Sequence, residues 1–349
     1  MADVVVGVSH QLLDTRRALL VGSIPGTDAA DAMRLAVDRL GPDLDFMPDG
    51  ETGERRDWIK SMLDGFREHP RFETVRDGDW SDYDTTPRFR VRPGERLYGA
   101  ALDLGIVAAA RASLPVFREL RPAATFQVGI PGALDLAMFT FGPAGMMRHV
   151  RVFAEALSLT MHELHALAGG EVLFQIEIPA EMILLARSPR PARKALARLL
   201  ADRVAALALG APAGARFGVH LCLGDLNHRA LGRLGDAGPL VQLANALAAR
   251  WPSTRPLHYV HAPLAAAVAP PVDDPAFYRP LSGLRLGGAR FVAGYAHERQ
   301  DLATQLRIRG YVEDAVGGAT DVSTSCGLGR RNRADAIAAM DRIRELTRS

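Results

Sequence analysis

A chain of 349 residues is long for one domain but fits a single α/β barrel. With 48% hydrophobic and 23% charged residues it has an ordinary globular balance, and a net charge of +2 with no basic stripe interleaved with aromatics excludes a nucleic-acid surface. Its longest apolar runs are broken by Arg, Gly or His, which excludes a membrane span, and Met1 to His10 lacks the basic segment of a secretion signal, so a cytoplasmic protein with reduced thiols is expected.

In chain order, Ala18 to Ile24 is a short apolar run closed by Pro25-Gly26 and reads as a buried strand. A helix follows over Asp28 to Leu40, with Asp28 as its N-cap. Leu44 to Pro48 is a second strand that ends in Asp49-Gly-Glu51, and Arg55 to Phe66 is helical. Arg67 to Glu95 is polar and rich in Asp, Arg and Pro, and reads as a loop excursion or lid over one end of the fold. Arg96 to Leu120 is mostly helical, Ala124 to Gly129 a strand, and Pro143 to Ala168 a helix. The alternation continues with strands at Glu171 to Glu177, Arg216 to Leu221, Arg255 to His261, Ala289 to Tyr295 and Asp321 to Ser325. Helices are expected between them over Pro189 to Leu209, Gly238 to Arg250, Pro275 to Leu281 and Gln300 to Val316, and Arg333 to Leu346 closes the chain.

Eight short, continuously apolar strands alternating with helices predict an α/β fold of the (β/α)8 TIM-barrel type, with residues 1–349 as one domain. The competing open sheet lacks a Gly-x-Gly-x-x-Gly after the first strand. Active sites of such barrels lie at the C-terminal ends of the strands. Polar residues expected there are Ser23, Glu51, Glu177, His220, Cys222, His261, His297 and Cys326. Taken singly, a Ser or Glu at a strand exit is more often a cap, a His a satisfied structural group, and a Cys a small buried hydrophobe. Together they are informative. His220 and Cys222, two apart at a strand end, point to one side, and both cysteines of the chain fall at strand exits, which suggests a soft-ligand metal site.

The motif His220-Leu-Cys222 followed by Asp225 and Asn227, with Ser325-Cys-Gly-Leu328 ahead of a basic turn, resembles the C-terminal barrel of cobalamin-independent methionine synthase. Gly22-Ser23-Ile-Pro25, the stretch from Asp49-Gly-Glu51 to Asp64-Gly-Phe66, and Gln175-Ile-Glu177-Ile-Pro-Ala180 are similar to further motifs of that family, so that the resemblance covers nearly the whole chain. It implies a Zn2+ ion held by His220, Cys222 and Cys326, with His261 at the position of the family's glutamate ligand. It also implies substrate binding by Gly22, Ser23, Glu51 and Glu177, and proton handling by His297. The family's additional N-terminal barrel and the tryptophan that flanks its pterin have no counterpart here, the latter being sought in Leu136 to Phe141. A stand-alone relative that does not use folate is therefore expected.

The expected activity is transfer of an alkyl or methyl group to a small thiol such as homocysteine. The thiol, made acidic by zinc, attacks an alkyl donor while Glu51 and Glu177 hold a cationic group of the substrate. Two alternatives stand beside it. One is a decarboxylase or lyase of the same superfamily, for which His220-x-Cys222 is an unneeded feature. The other is a non-catalytic zinc protein, which would close the metal with four protein ligands.

Overall fold

Apolar runs of this length are buried on both faces only when helices cover the outside of a parallel sheet and side chains fill its inside. The computed structural model, which describes residues 15–349 apart from Arg121, His228 and Ala267, has that arrangement. The Met1 to His10 stretch lies outside the described residues. The strands are β1 (Ala18–Leu19), β2 (Phe46–Pro48), β3 (Phe72–Arg76), β4 (Arg88–Val91), β5 (Thr125–Pro131), β6 (Val172–Glu177), β7 (Arg216–His220), β8 (Leu257–Pro263), β9 (Arg290–Ala296) and β10 (Asp321–Thr324). Eight of them form one sheet in the order β1-β10-β9-β8-β7-β6-β5-β2, and the strand pairs are parallel. A single parallel bridge, Ala18 with Leu44, joins the two ends, so the sheet is a nearly closed TIM-type barrel.

The thin seam between β1 and β2 has a local cause. The carbonyls of Leu20 and Val21 accept hydrogen bonds from buried side-chain amides rather than from a neighbouring strand. Gln127 Nε2 donates to both, at 3.0 and 2.8 Å, and Gln175 Nε2 donates to Val21 at 2.6 Å. The Tyr259 hydroxyl completes this layer by donating to Gln175 Oε1 at 2.8 Å. Tyr259 has room for its ring because residue 218 on the adjacent strand is glycine: a Cβ there would overlap the ring. A buried polar layer of this kind is tolerated because its members satisfy one another.

The surrounding helices are α1 (Ala29–Leu40), α2 (Ile59–Asp64), α3 (Ile106–Leu120), α4 (Ala133–Ala168), α5 (Pro179–Arg187), α6 (Arg190–Leu209), α7 (Gly238–Arg250), α8 (Pro275–Tyr278), α9 (Leu302–Val316) and α10 (Arg333–Arg348). Asp28 caps α1 by accepting from Asp31 N, as its position suggested. The element α4 is two helices, since Gly142 sits at φ 71° and Pro143 starts the second. The expected helix over Arg96 to Leu120 begins only at Ile106. The short helix α5 was not anticipated; its apolar residues follow so closely on β6 that no helical period stands out. No helix among the described residues is long and apolar enough to cross a membrane.

The Arg67 to Glu95 excursion is not simply a polar loop. It carries an antiparallel hairpin, β3 with β4. Phe72 stacks on Phe66 at a centroid distance of 4.7 Å and Phe89 meets the same ring edge-on at 6.2 Å. Burying these rings anchors an otherwise charged segment.

Replacing Gly218 with Ala forces the Tyr259 ring and its hydroxyl out of place. We expect a loss of about 1–3 kcal/mol, the usual result of overpacking, read as a lower midpoint in urea unfolding.

Candidate active site

Parallel register sets the site. Glu177 on β6 pairs with His220 on β7, and His220 pairs with His261 on β8, so three polar residues stand side by side at the C-terminal end of adjacent strands. The chain then turns outward: Cys222 N donates to His220 O at 3.1 Å, and Leu221 N to His261 O at 2.9 Å. Cys326 arrives from the exit of β10, with its sulfur 3.9 Å from that of Cys222, and both thiols are free. One ligand atom each of His220, Cys222 and Cys326 lies within 4.8 Å of the other two. His220 Nε2 is buried and makes no hydrogen bond of normal geometry. A fully buried ring nitrogen without a partner, beside two thiols, is the donor set that zinc favours, and the residues present fit that ion. The hydrogen bond between the sulfurs lowers the Cys326 thiol well below its ordinary value and raises that of Cys222.

His261 is not part of this triad. Its Nδ1 lies 2.6 Å from His220 Nδ1 and its Nε2 lies 3.0 Å from the Thr324 carbonyl. Burial, and then the neighbouring His220 ring, pushes its pKa well below the usual imidazole range, so the ring is neutral. The sequence placed His261 among the ligands because it considered the strand exit alone; the direction of the ring follows from tertiary contacts.

A cavity opens over the thiols. Gly22, Ser23, Glu51, Glu177, Cys222 and Cys326 are on its wall, so most of the expected residues do converge. Glu51 and Glu177 meet over Gly129, where an added Cβ would lie 2.9 Å from one carboxylate and 3.2 Å from the other. Gly22 gives Glu51 room from below, since a Cβ there would be 2.9 Å from its carboxylate. Ser23 braces the Cys326 loop: its Oγ accepts from Gly329 N at 3.2 Å and its carbonyl accepts from Leu328 N at 2.6 Å. Asp49 shapes the turn that carries Glu51, accepting from Glu51 N at 2.9 Å, Arg55 at 2.8 Å and Ser113 at 2.9 Å. Burial raises Glu51 to about 8, and burial together with the nearby Glu51 carboxyl raises Glu177 well above its ordinary value. Two acidic groups facing one another under cover, with no cation bonded to either among the described residues, are an arrangement that can receive a cation.

His297 is at the exit of β9, fully buried, with Nδ1 accepting from Arg299 N at 3.1 Å; it is not on the cavity wall. Other residues are. Trp58, Phe139 and Arg330 line the cavity, and the hairpin excursion adds Trp80 and Tyr83. Tyr83 ties the excursion down: its hydroxyl accepts from Leu226 N at 3.0 Å and donates to Arg229 O at 3.2 Å. Arg229 pairs with Asp82 at 2.8 Å, and Asn227 Nδ2 donates to Trp80 O at 2.8 Å. The available signal was Trp80 and Tyr83, two large aromatics in the Asp- and turn-rich stretch from Asp77 to Thr86. Four non-glycine residues among those described have positive φ: Glu51, Trp58, Trp80 and Asn227. Three of these line the cavity and the fourth holds Trp80, so the unusual backbone is concentrated at the site.

No protein-family model matches the chain, and no curated protein matches it. Solved structures do. A B12-independent methionine synthase from Shewanella sp. W3-18-1, in complex with selenomethionine, superposes over 96% of this chain and 96% of its own, with a TM-score of 0.59 and 13% identity. A methyltransferase from Methanosarcina mazei superposes over 97% of this chain and 95% of its own, with a TM-score of 0.53 and 12% identity. At such identities the likeness is one of fold.

The raised Glu51 pKa has a consequence for stability. In the folded protein this group holds its proton up to about pH 8, against an ordinary value of 4.5 when unfolded. The stabilisation due to that proton is complete below the unfolded value and is lost as pH rises towards 8. Glu51→Gln keeps the neutral form at all pH. Thermal melts of the protein without ligand should agree for the two forms near pH 4, separate progressively from about pH 5 and differ most from about pH 8 upward, with the variant higher by on the order of a few degrees.

Proposed function

We propose that the chain is a zinc-dependent transferase that moves a methyl or other alkyl group onto the sulfur of a small, cationic thiol. The observation that carries this reading is the His220, Cys222 and Cys326 cluster opening into the same cavity as the Glu51 and Glu177 carboxyls. Either feature alone has ordinary explanations, but a soft metal donor set beside a receptor for an ammonium group suits an amino thiol. The fold likeness to a methionine synthase and a methyltransferase agrees with it.

The residues would act as follows. His220, Cys222 and Cys326 would hold the ion, each cysteine as its thiolate. When bound, zinc supplies Lewis acidity that keeps a substrate thiol ionised at neutral pH. Glu51 and Glu177 receive the ammonium group. The carboxyl that is protonated in the empty site releases its proton as the cation enters, because an opposite charge within reach favours the ionised form. Trp58, Trp80 and Phe139 cover the reacting region with apolar surface and exclude water from it. The thiolate sulfur attacks the alkyl carbon in line. The sulfur–carbon bond forms as the bond to the leaving group breaks, and the leaving group departs with the electron pair. The excursion held by Tyr83 and Asn227 acts as the lid. His297, expected to donate a proton to the leaving group, is buried outside the cavity wall, so that role would need the wall to rearrange.

Purified protein is expected to carry about one zinc per chain. Cys222→Ser combined with Cys326→Ser should abolish it, and metal still bound at full occupancy in that double variant would remove the proposal. Screening small thiols against methyl donors should give a thioether product with amino thiols, reduced by roughly 100-fold or more in Glu177→Gln at saturating donor, because a buried ionic contact to the substrate is lost. Equal rates with thiols that lack an amine would show that the two carboxyls serve another purpose.

A further inference from the structure

Resting on the zinc-dependent reading above, we infer that His261 is a positioning residue. It fixes the tautomer of His220 so that the Nε2 lone pair faces the two thiols, and the ion is held by three protein ligands with a further position left to the substrate.

The argument is an accounting of hydrogens. The Thr324 carbonyl can only accept, so His261 Nε2, 3.0 Å away, carries a hydrogen and donates it. A neutral imidazole has one N–H, which leaves His261 Nδ1 bare. That bare nitrogen is 2.6 Å from His220 Nδ1, so the hydrogen between them belongs to His220. His220 Nε2 is then the bare nitrogen, buried and without a hydrogen bond of normal geometry, on a ring whose ligand atom lies within 4.8 Å of both sulfurs. Two hydrogen bonds in series therefore run from a main-chain carbonyl of β10 to the one nitrogen that a metal needs unprotonated. Both ring nitrogens of His261 are already engaged, so it cannot itself become a ligand without giving up one of these bonds. A doubly protonated His261 would place an imidazolium at a fully buried position with no carboxylate partner among the described residues, which burial opposes.

A second observation supports the same role. On the neighbouring strand, a Cβ at Gly294 would lie 2.6 Å from His261 Nε2 and 2.9 Å from the Thr324 carbonyl oxygen. The glycine leaves the space in which this ring and its acceptor meet. With His261 turned inward and three ligands present, the cluster has the open arrangement of catalytic zinc sites rather than the four-ligand closure of structural ones.

The test uses the full chain. In the metal-free protein, ring 15N chemical shifts should give His220 as the Nδ1–H tautomer and His261 as the Nε2–H tautomer, and His261→Ala should turn His220 into a mixture. Chelator competition with Zn2+ should show affinity weaker by about 10- to 100-fold in His261→Ala, with the number of ions bound unchanged. His261→Gln should recover most of the loss, because its amide can donate to Thr324 and accept from His220; it also serves where the alanine variant fails to fold. Cobalt-substituted protein should keep its thiolate-to-metal absorption in both variants. Three results would each overturn the inference: unchanged zinc affinity in His261→Ala, a His261→Gln variant as deficient in zinc as His220→Ala, or an Nε2–H tautomer of His220 in the metal-free wild type. Failure of the wild type to bind zinc at all would instead count against the proposed function, and the tautomer measurement would still decide the role of His261.

Discussion

The site depends on the register of three adjacent parallel strands. Because Glu177 stands opposite His220, and His220 opposite His261, a carboxyl, an imidazole that faces the thiols and an imidazole that supports it all leave the barrel at one level. A slip of one residue on β7 would turn His220 from the barrel interior to the helix side and would carry Cys222 with it. The glycines at 218 and 294 belong to the same constraint. Each leaves space for a ring from β8, Tyr259 in one case and His261 in the other. The middle strand of the three is thus held by polar contacts on the inside of the barrel as well as by its backbone ladder.

Those polar contacts are costly to bury, and the structure divides them into two kinds. Deep in the barrel, Gln127, Gln175 and Tyr259 satisfy one another and the Leu20 and Val21 carbonyls that follow β1. One layer higher the satisfaction is incomplete. His220 Nε2 has no hydrogen bond of normal geometry, the two sulfurs lie 3.9 Å apart, and two carboxyls face each other with no cation bonded to either among the described residues. Groups of this kind are stabilised by a ligand rather than by the fold. The backbone follows the same division, since the non-glycine residues with positive φ surround the upper layer. Stability given up there is what a binding site of this chemistry requires.

The excursion after α2 links the fold to access. Its charged sequence hides a hairpin whose Phe72 and Phe89 pack against Phe66, and this packing brings Trp80 and Tyr83 over the cavity. The loop after β7 meets it through Arg229, Leu226 and Asn227, so the segment that carries Cys222 outward is the same one that holds the cover. Movement of the hairpin would therefore be felt at the thiols through a few residues of chain.

Much of this was legible without coordinates. Short apolar runs in alternation with amphipathic helices specify a barrel because burial on both faces is a property of each strand by itself, and His220-x-Cys222 with Cys326 could be read because the ends of barrel strands share one mouth. Glu51 and Glu177 were expected at the mouth from their strand-exit positions, and both line the cavity. What depended on contacts between distant segments could not be read in this way. His261 has the same local pattern whether its ring points at a metal or at His220, and only the Thr324 carbonyl of another strand decides between them. His297 sits at a strand exit like the others, yet the packing of its neighbours keeps it behind the wall. Trp80 reaches the cavity between two hairpin strands whose Phe72 and Phe89 pack against Phe66, and its ring meets Phe139. Strand and helix follow from periodicity along the chain, whereas the direction of a side chain at the barrel mouth is set by which neighbour has a hydrogen to give and which glycine leaves it room.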